Sequence, residues 1–239
     1  MKKAKKISIV VSVYNEEAVL GKFLKAFDKM KATITWDYEV IFVNDGSCDN
    51  SLEILQNAAQ KEPYIKIISF SRNFGHQIAV TAGVEYSTGD AVIIIDADLQ
   101  DPPEMIHKMI EKYREGYDVV YAVRKSRKGE TFFKKITAKI YYRLLNNLTD
   151  VKFPQDTGDF RLISRRVCEK LKKMPEKDRY LRGMISWIGY NQIGIEYDRD
   201  ERFAGETKYS LKKMIKLSLA GIISFSAKPL QISVYLGFI

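Results

Sequence analysis

Short, almost wholly apolar runs alternate along the chain with longer segments whose apolar residues recur every three or four positions. Residues 7–13 (ISIVVSV) form the first run, and Val19, Leu20, Phe23, Leu24 and Phe27 follow at helical spacing, which predicts a strand and then an amphipathic helix. The alternation repeats: further strands are predicted at 40–43, 65–70, 91–95 and 119–123, with helices starting near Ser51 and spanning 77–86 and 103–113. Strands that are apolar on both faces and separated by single helices predict a three-layer α/β fold with a mostly parallel central sheet. No internal repeat, low-complexity tract or Gly/Ser- or Pro-rich linker interrupts the pattern.

Ligands of open α/β sheets gather beyond the carboxyl ends of the strands, and polar residues cluster at those ends here. Tyr14-Asn15-Glu16 follows the first strand, Asn44-Asp45-Gly46-Ser47 the second, and Asp96-Ala97-Asp98 the fourth. The stretch 91–104, AVIIIDADLQDPPE, is the most informative. Continued strand alternation puts Asp96, Asp98 and Gln100 on one side, and such oxygen donors suit a hard divalent ion, Mg2+ or Mn2+. Asp101-Pro102-Pro103 reads as the start of the next helix, where an acidic residue meets the helix dipole. No GxGxxG follows the first strand and no GxxxxGK[ST] is present, so a dinucleotide dehydrogenase and a P-loop NTPase both lose their main support.

Charge narrows the partners. Lys and Arg number 39 against 30 Asp and Glu, net +9, which points to an anionic ligand or surface. A nucleic acid is disfavoured, because without a metal the carboxylates at 96–101 would repel a phosphate chain. Cys48 and Cys168 form no CxxC and read as reduced thiols. The basic start MKKAKK is that of a signal peptide, but its apolar run ends at Tyr14-Asn15-Glu16-Glu17 without a cleavage site, so it is read as the first strand. No segment reaches the roughly 20 apolar residues of a spanning helix. Near the far end Leu211, Met214, Ile215, Leu219 and Ile222 form one helical stripe with Lys212, Lys213 and Lys216 off it, a pattern shared by a helix packed on the core and a helix lying in a membrane interface.

The motifs SVYNEE, VNDGSCDNS, SRNFGHQIAVTAG, DADLQDPPE, QDTGDFRLISRR and RFAGETKYSLKKM together resemble the family 2 glycosyltransferases of GT-A (Rossmann-like) fold. Within them the chain is similar to the polyprenyl-phosphate group, which includes bacterial bactoprenol glucosyltransferases and dolichol-phosphate mannose synthase. The resemblance runs from Ser8 to about Ile239. It implies a catalytic domain over 1–208, then a juxtamembrane amphipathic helix and the start of a membrane helix over 209–239. It implies that Tyr14, Glu16 and Asp45 hold the base and ribose, that Asp96 contacts the nucleotide sugar, and that Asp98 and Gln100, with Asp96 beside them, hold the metal on the diphosphate. Asp159 would face the anomeric carbon, with Arg161 positioning. Asp156 and Asp159 also read as caps of a turn and the strand after it.

The basic segment Arg124, Lys125, Arg127, Lys128, Lys134 and Lys135 follows the fifth strand, and arginine grips phosphate in a bidentate fork. By similarity Arg124 and Lys134, with Arg161 and Arg202, are the acceptor-phosphate residues, and Arg202 and Lys208 sit on a loop hinged at Gly205. The implied reaction is inverting transfer of a hexose, glucose from UDP-glucose first, to a polyprenyl phosphate such as undecaprenyl phosphate at the cytoplasmic face of the cell membrane. GDP-mannose as donor and a saccharide hydroxyl as acceptor are the alternatives, and the absence of QxxRW argues against a processive synthase. The implied partners are a nucleotide-diphosphate sugar, a polyprenyl phosphate lipid and the membrane surface; a homo-oligomer is left open.

Overall fold

A computed structural model describes residues 5–125, 154, 157–198, 225, 234, 235 and 237. The chain divides into two compact units. The first contains a seven-stranded sheet in the order β3-β2-β1-β4-β6-β5-β7. Its elements are β1 (Lys6–Val13), α1 (Glu17–Lys31), β2 (Asp37–Asn44), α2 (Ser51–Lys61), β3 (Ile65–Ser69), α3 (His76–Tyr86), β4 (Ala91–Asp96), α4 (Met105–Arg114), β5 (Val119–Arg124), β6 (Thr157–Ser164), α5 (Arg165–Lys173) and β7 (Gln192–Tyr197). The described part of the second unit includes α6 (Leu181–Ile188), where Tyr180 meets Phe225 edge to face.

Strands β3, β2, β1 and β4 pair in parallel, β6 runs antiparallel to both β4 and β5, and β7 pairs parallel with β5. The register places Val13 beside Asn44 and Ser12 beside Asp96, so β1, β2 and β4 end nearly level. Antiparallel β6 therefore begins where its neighbours finish. Ile94 pairs with Arg161, and two residues further along that register Asp96 faces Asp159. Phe23 of α1 meets Phe42 of β2 edge to face at 6.1 Å within the core.

The strands and helices expected from periodicity between residues 7 and 123 are present, with shifted ends. Helix α4 begins at Met105, not at Asp101-Pro102-Pro103, because the carbonyls of Pro102 and Pro103 accept the N–H groups of Met105 and Ile106 in the turn before it. Asp159 lies inside β6 rather than capping its start.

Glu39, buried at the amino end of the sheet, accepts hydrogen bonds from Ser8 Oγ (2.6 Å), Lys6 Nζ (2.9 Å), Lys66 Nζ (2.7 Å) and the Thr88 backbone (2.8 Å). Burial alone would push its carboxyl up, but the hydrogen bonds outweigh it and hold the group well below its usual range. A depressed carboxylate stabilises the fold above its unfolded value and loses that contribution as pH falls. Stability is therefore expected to drop as pH is lowered below about 4.5, and the drop to flatten in Glu39→Gln. Urea unfolding at several pH values checks this; parallel profiles for the two proteins would refute it.

Candidate active site

Two loops at the carboxyl edge are tied to each other. After β1, Asn15 takes a positive φ of 51°, which an Asn tolerates better than most residues. Its N–H donates to Ser47 Oγ (2.9 Å) and its Oδ1 accepts from the Cys48 N–H (2.8 Å). The Glu16 N–H donates to Ser51 Oγ (2.9 Å), and the Glu16 carbonyl caps α1 by accepting from Val19 and Leu20. Tyr14 and Glu16, half-buried, thus stand beside the 44–51 loop.

Asp45 lies just past β2 and is buried. Its carboxylate accepts from Asn73 Nδ2 (2.8 Å) and from the backbone N–H groups of Phe74 (2.7 Å) and Gly75 (2.9 Å). That grip holds the loop that leads into α3, and Gly75 there has φ 104°, a region that side chains rarely enter.

Strand β4 stops at Asp96, so Asp98 and Gln100 belong to a turn and strand parity does not place them. The turn has its own geometry: Asp98 Oδ1 accepts from the Gln100 N–H at 3.1 Å, and Leu99 holds a positive φ of 59° while packing on the core. A leucine in that region costs roughly 1–2 kcal/mol, and such strain clusters at functional sites. Asp98 is buried, at 8% exposure. Asp101, also buried, accepts a hydrogen bond from Tyr197 Oη of β7.

Asp159 and Arg161 sit two apart on β6. The Arg161 guanidinium is buried against its own strand, with Nη2 donating to the Gly158 carbonyl at 2.8 Å and Nε to that of Asp159 at 3.4 Å. In this arrangement it supports the backbone carrying Asp159. Arg124, at the end of β5, passes over Gly158: a Cβ there would lie 2.8 Å from Arg124 Nη2. The absence of a side chain at 158 brings the guanidinium next to the start of β6. Its Nε is buried with no hydrogen-bond partner among the described residues.

His76, to which no role was assigned from sequence, joins the strands. Its Nε2 lies 3.0 Å from Asp159 Oδ2, and its Nδ1 lies 3.0 Å from Ser12 Oγ and 3.7 Å from Asp96 Oδ1. Gln77 Nε2 also reaches Asp159 Oδ2 at 3.4 Å. The available signal was positional: a histidine at the mouth of a predicted helix, on the ligand edge.

Electrostatically the edge is acidic. Asp96 keeps 35% of its side chain exposed, yet the packed surroundings desolvate it enough to raise its carboxyl to about 6. His76 pulls that value down, while the negative charges of Asp98, Asp159 and Asp101 push it up. Such a cluster favours a cation. Mg2+ needs no closed protein cage, taking one or two carboxylates together with phosphate oxygens of a substrate; among the described residues no three His, Cys, Asp or Glu side chains form a cage. The donors at 96, 98 and 100 fit such an ion. Lys134, Arg202, Lys208 and Asp156 lie outside the described residues, as does the helix expected over 209–239 apart from residues 225, 234, 235 and 237. Among the described residues no helix is long and apolar enough to cross a membrane.

A largely parallel sheet of this order, with carboxylates at the end of β4 and near the start of antiparallel β6, is that of a GT-A glycosyltransferase. The chain belongs to glycosyl transferase family 2, whose profile matches residues 8–172. It is 57% identical to the Bacillus subtilis glycosyltransferase YkcC over 97% of this chain and 72% of the relative. It is 42% identical to a bactoprenol glucosyl transferase of Shigella phage SfX, over 97% and 76%. Glucosyl-3-phosphoglycerate synthase from Mycobacterium tuberculosis, solved with Mn2+, uridine diphosphate and glucosyl-3-phosphoglycerate, shares the fold at a TM-score of 0.64 and 19% identity, over 92% of this chain and 79% of that one.

Proposed function

We propose that the protein transfers glucose from UDP-glucose to a polyprenyl phosphate such as undecaprenyl phosphate, at the cytoplasmic face of the membrane. The observation that carries this reading is the convergence of Asp96, Asp98 and Asp159 on one sheet edge, in a chain 42% identical to a bactoprenol glucosyl transferase. Tyr14, Glu16 and Asp45 border the base and ribose, with Asp45 also shaping the pocket through the loop it grips. Asp98 and Gln100, with Asp96, would hold Mg2+ or Mn2+, which when bound neutralises charge developing on the diphosphate leaving group. Asp159 faces the anomeric carbon and stabilises its developing positive charge. An acceptor phosphate is already ionised near neutral pH and needs little help from a base. Attack opposite the leaving group inverts the anomeric centre without a covalent intermediate.

Arg124 is the described cation best placed for the acceptor phosphate, since its guanidinium adjoins the start of β6 at Gly158, the residue before Asp159. Lys134 and Arg202 are proposed alongside it, with Arg161 holding the strand. A charge-assisted hydrogen bond contributes about 1.5–3 kcal/mol. Arg124→Ala is therefore expected to raise KM for the polyprenyl phosphate by about tenfold or more and to leave UDP affinity near native. Equal loss of both would assign the residue to the nucleotide instead.

The direct test is transfer of radiolabel from UDP-glucose into an organic-extractable product, with purified protein, undecaprenyl phosphate and Mg2+ or Mn2+, and an EDTA control. Metal-dependent label in the lipid phase is expected. Label appearing only with GDP-mannose, or only on a saccharide acceptor, would replace the donor or acceptor named here, and failure to bind any nucleotide would overturn the reading.

A further inference from the structure

We propose that His76 is a positioning residue for Asp159, an inference that rests on reading Asp159 as the carboxylate facing the sugar. The His76 ring touches residues from three adjacent strands: Ser12 of β1 at 3.0 Å, Asp96 of β4 at 3.7 Å and Asp159 of β6 at 3.0 Å. Asp159 is only 10% exposed on its side chain and His76 24%, so the bond between them is largely shielded from water and holds its geometry. An ionised carboxylate only accepts hydrogen bonds. Nε2 must therefore carry a proton and donate it to Oδ2, whether the ring is neutral or charged. In the neutral ring the basic nitrogen is Nδ1, which faces Ser12 rather than Asp159, so the arrangement suits holding a carboxylate rather than removing a proton beside it.

The ring is itself held. The Ser12 hydroxyl at Nδ1 defines its tilt, and Asp45 fixes the peptide units of Phe74 and Gly75 directly before it. The Gly75 φ of 104° lets the chain turn from that grip into α3. A path of hydrogen bonds thus runs from Asp45 through the 73–75 loop to His76 and on to Asp159. Gln77 reinforces its end by donating to the same Oδ2. Two donors on one oxygen select a single rotamer for a carboxylate that must meet a reacting carbon closely, where small misplacements cost large factors in rate.

The test compares His76→Ala, His76→Gln and the double variant His76→Ala/Asp159→Asn in steady-state transfer, with UDP binding followed by calorimetry and folding by thermal melts. His76→Ala is expected to lower kcat about 10- to 100-fold, the usual effect of removing an orienting partner, with KM for the nucleotide sugar and UDP affinity within about threefold. His76→Gln, whose amide nitrogen can reach the Nε2 position, should recover most of kcat. In the double variant the loss should not exceed that of Asp159→Asn, because the orientation of a neutral amide no longer matters. Native kcat in His76→Ala, failure of His76→Gln to recover a folded enzyme's rate, loss of UDP binding, or additive losses in the double variant would each overturn the proposal. Failure of the underlying reading looks different: Asp159→Asn alone would keep its turnover.

Discussion

Asp159→Asn is expected to reduce turnover by about 10³-fold while the protein folds and binds UDP as before. Asparagine keeps the size of the side chain and an oxygen that can accept from His76 Nε2 and Gln77 Nε2, the two donors now on Oδ2. What it loses is the negative charge. A fixed group aimed at charge that develops only in the transition state contributes about 10²–10³ in rate, and a correctly placed acid or base about 10²–10⁴. Because the ground-state sugar carries no positive charge, KM for the nucleotide sugar should move little. Steady-state kinetics with a UDP titration separate the two parameters. Turnover within tenfold of native would remove Asp159 from the reacting centre.

The second large effect is expected at Asp98. Asp98→Asn should bring UDP affinity in Mn2+ down to the level of the unaltered protein in EDTA, and lower transfer by more than about 10³-fold. The amide oxygen can still accept from the Gln100 N–H, as Oδ1 does now, so the turn around Leu99 is preserved. A neutral amide is a far weaker ligand for a hard cation than a carboxylate. Alanine would be a poorer probe, since Asp98 is buried and its removal would empty the turn as well as the ligand set. An unaltered melting temperature with metal-supported UDP binding intact would refute the assignment. Proton competition adds a pH dependence: with the Asp96 carboxyl raised to about 6, metal-supported UDP binding should weaken as pH falls through that value. An unchanged affinity from pH 7 to 5 would exclude Asp96 from the ligand set.

Much of the parallel half of the sheet was legible in the chain. Strands β1, β2 and β4 are largely buried on both faces and therefore read as almost wholly apolar runs, and the polar clusters after them mark the ligand edge. Strand β6 was harder to see. Its ladder partners, β4 and β5, are distant in sequence, and its motif GDFRLIS mixes buried charge with apolar residues. Strand β7, QIGIEY, alternates Ile193, Ile195 and Tyr197, which pack on the core, with Gln192, Gly194 and Glu196, a period-two signal that was present but too short to stand out. The helix ends moved because turn carbonyls before α4, not the acidic residue at 101, meet its first N–H groups.

The candidate site divides in the same way. Asp96, Asp98, Asp45 and the 14–16 cluster stand out because carboxylates at the ends of apolar strands have few structural reasons to be there, and the order of strands and helices along the chain already puts them on one edge. Long-range pairing adds what spacing cannot encode. Insertion of antiparallel β6 between β4 and β5 delivers Asp159 opposite Asp96, the glycine at 158 admits Arg124, and the burial of Arg161 turns a basic side chain onto its own backbone. The Asp45 grip carries His76 to Asp159 across 83 positions of sequence. Local periodicity determined the layers and the edge where chemistry gathers, because burial and backbone geometry act over a few residues. Which charges meet there was decided by strand order and register, which exist only once the sheet has closed.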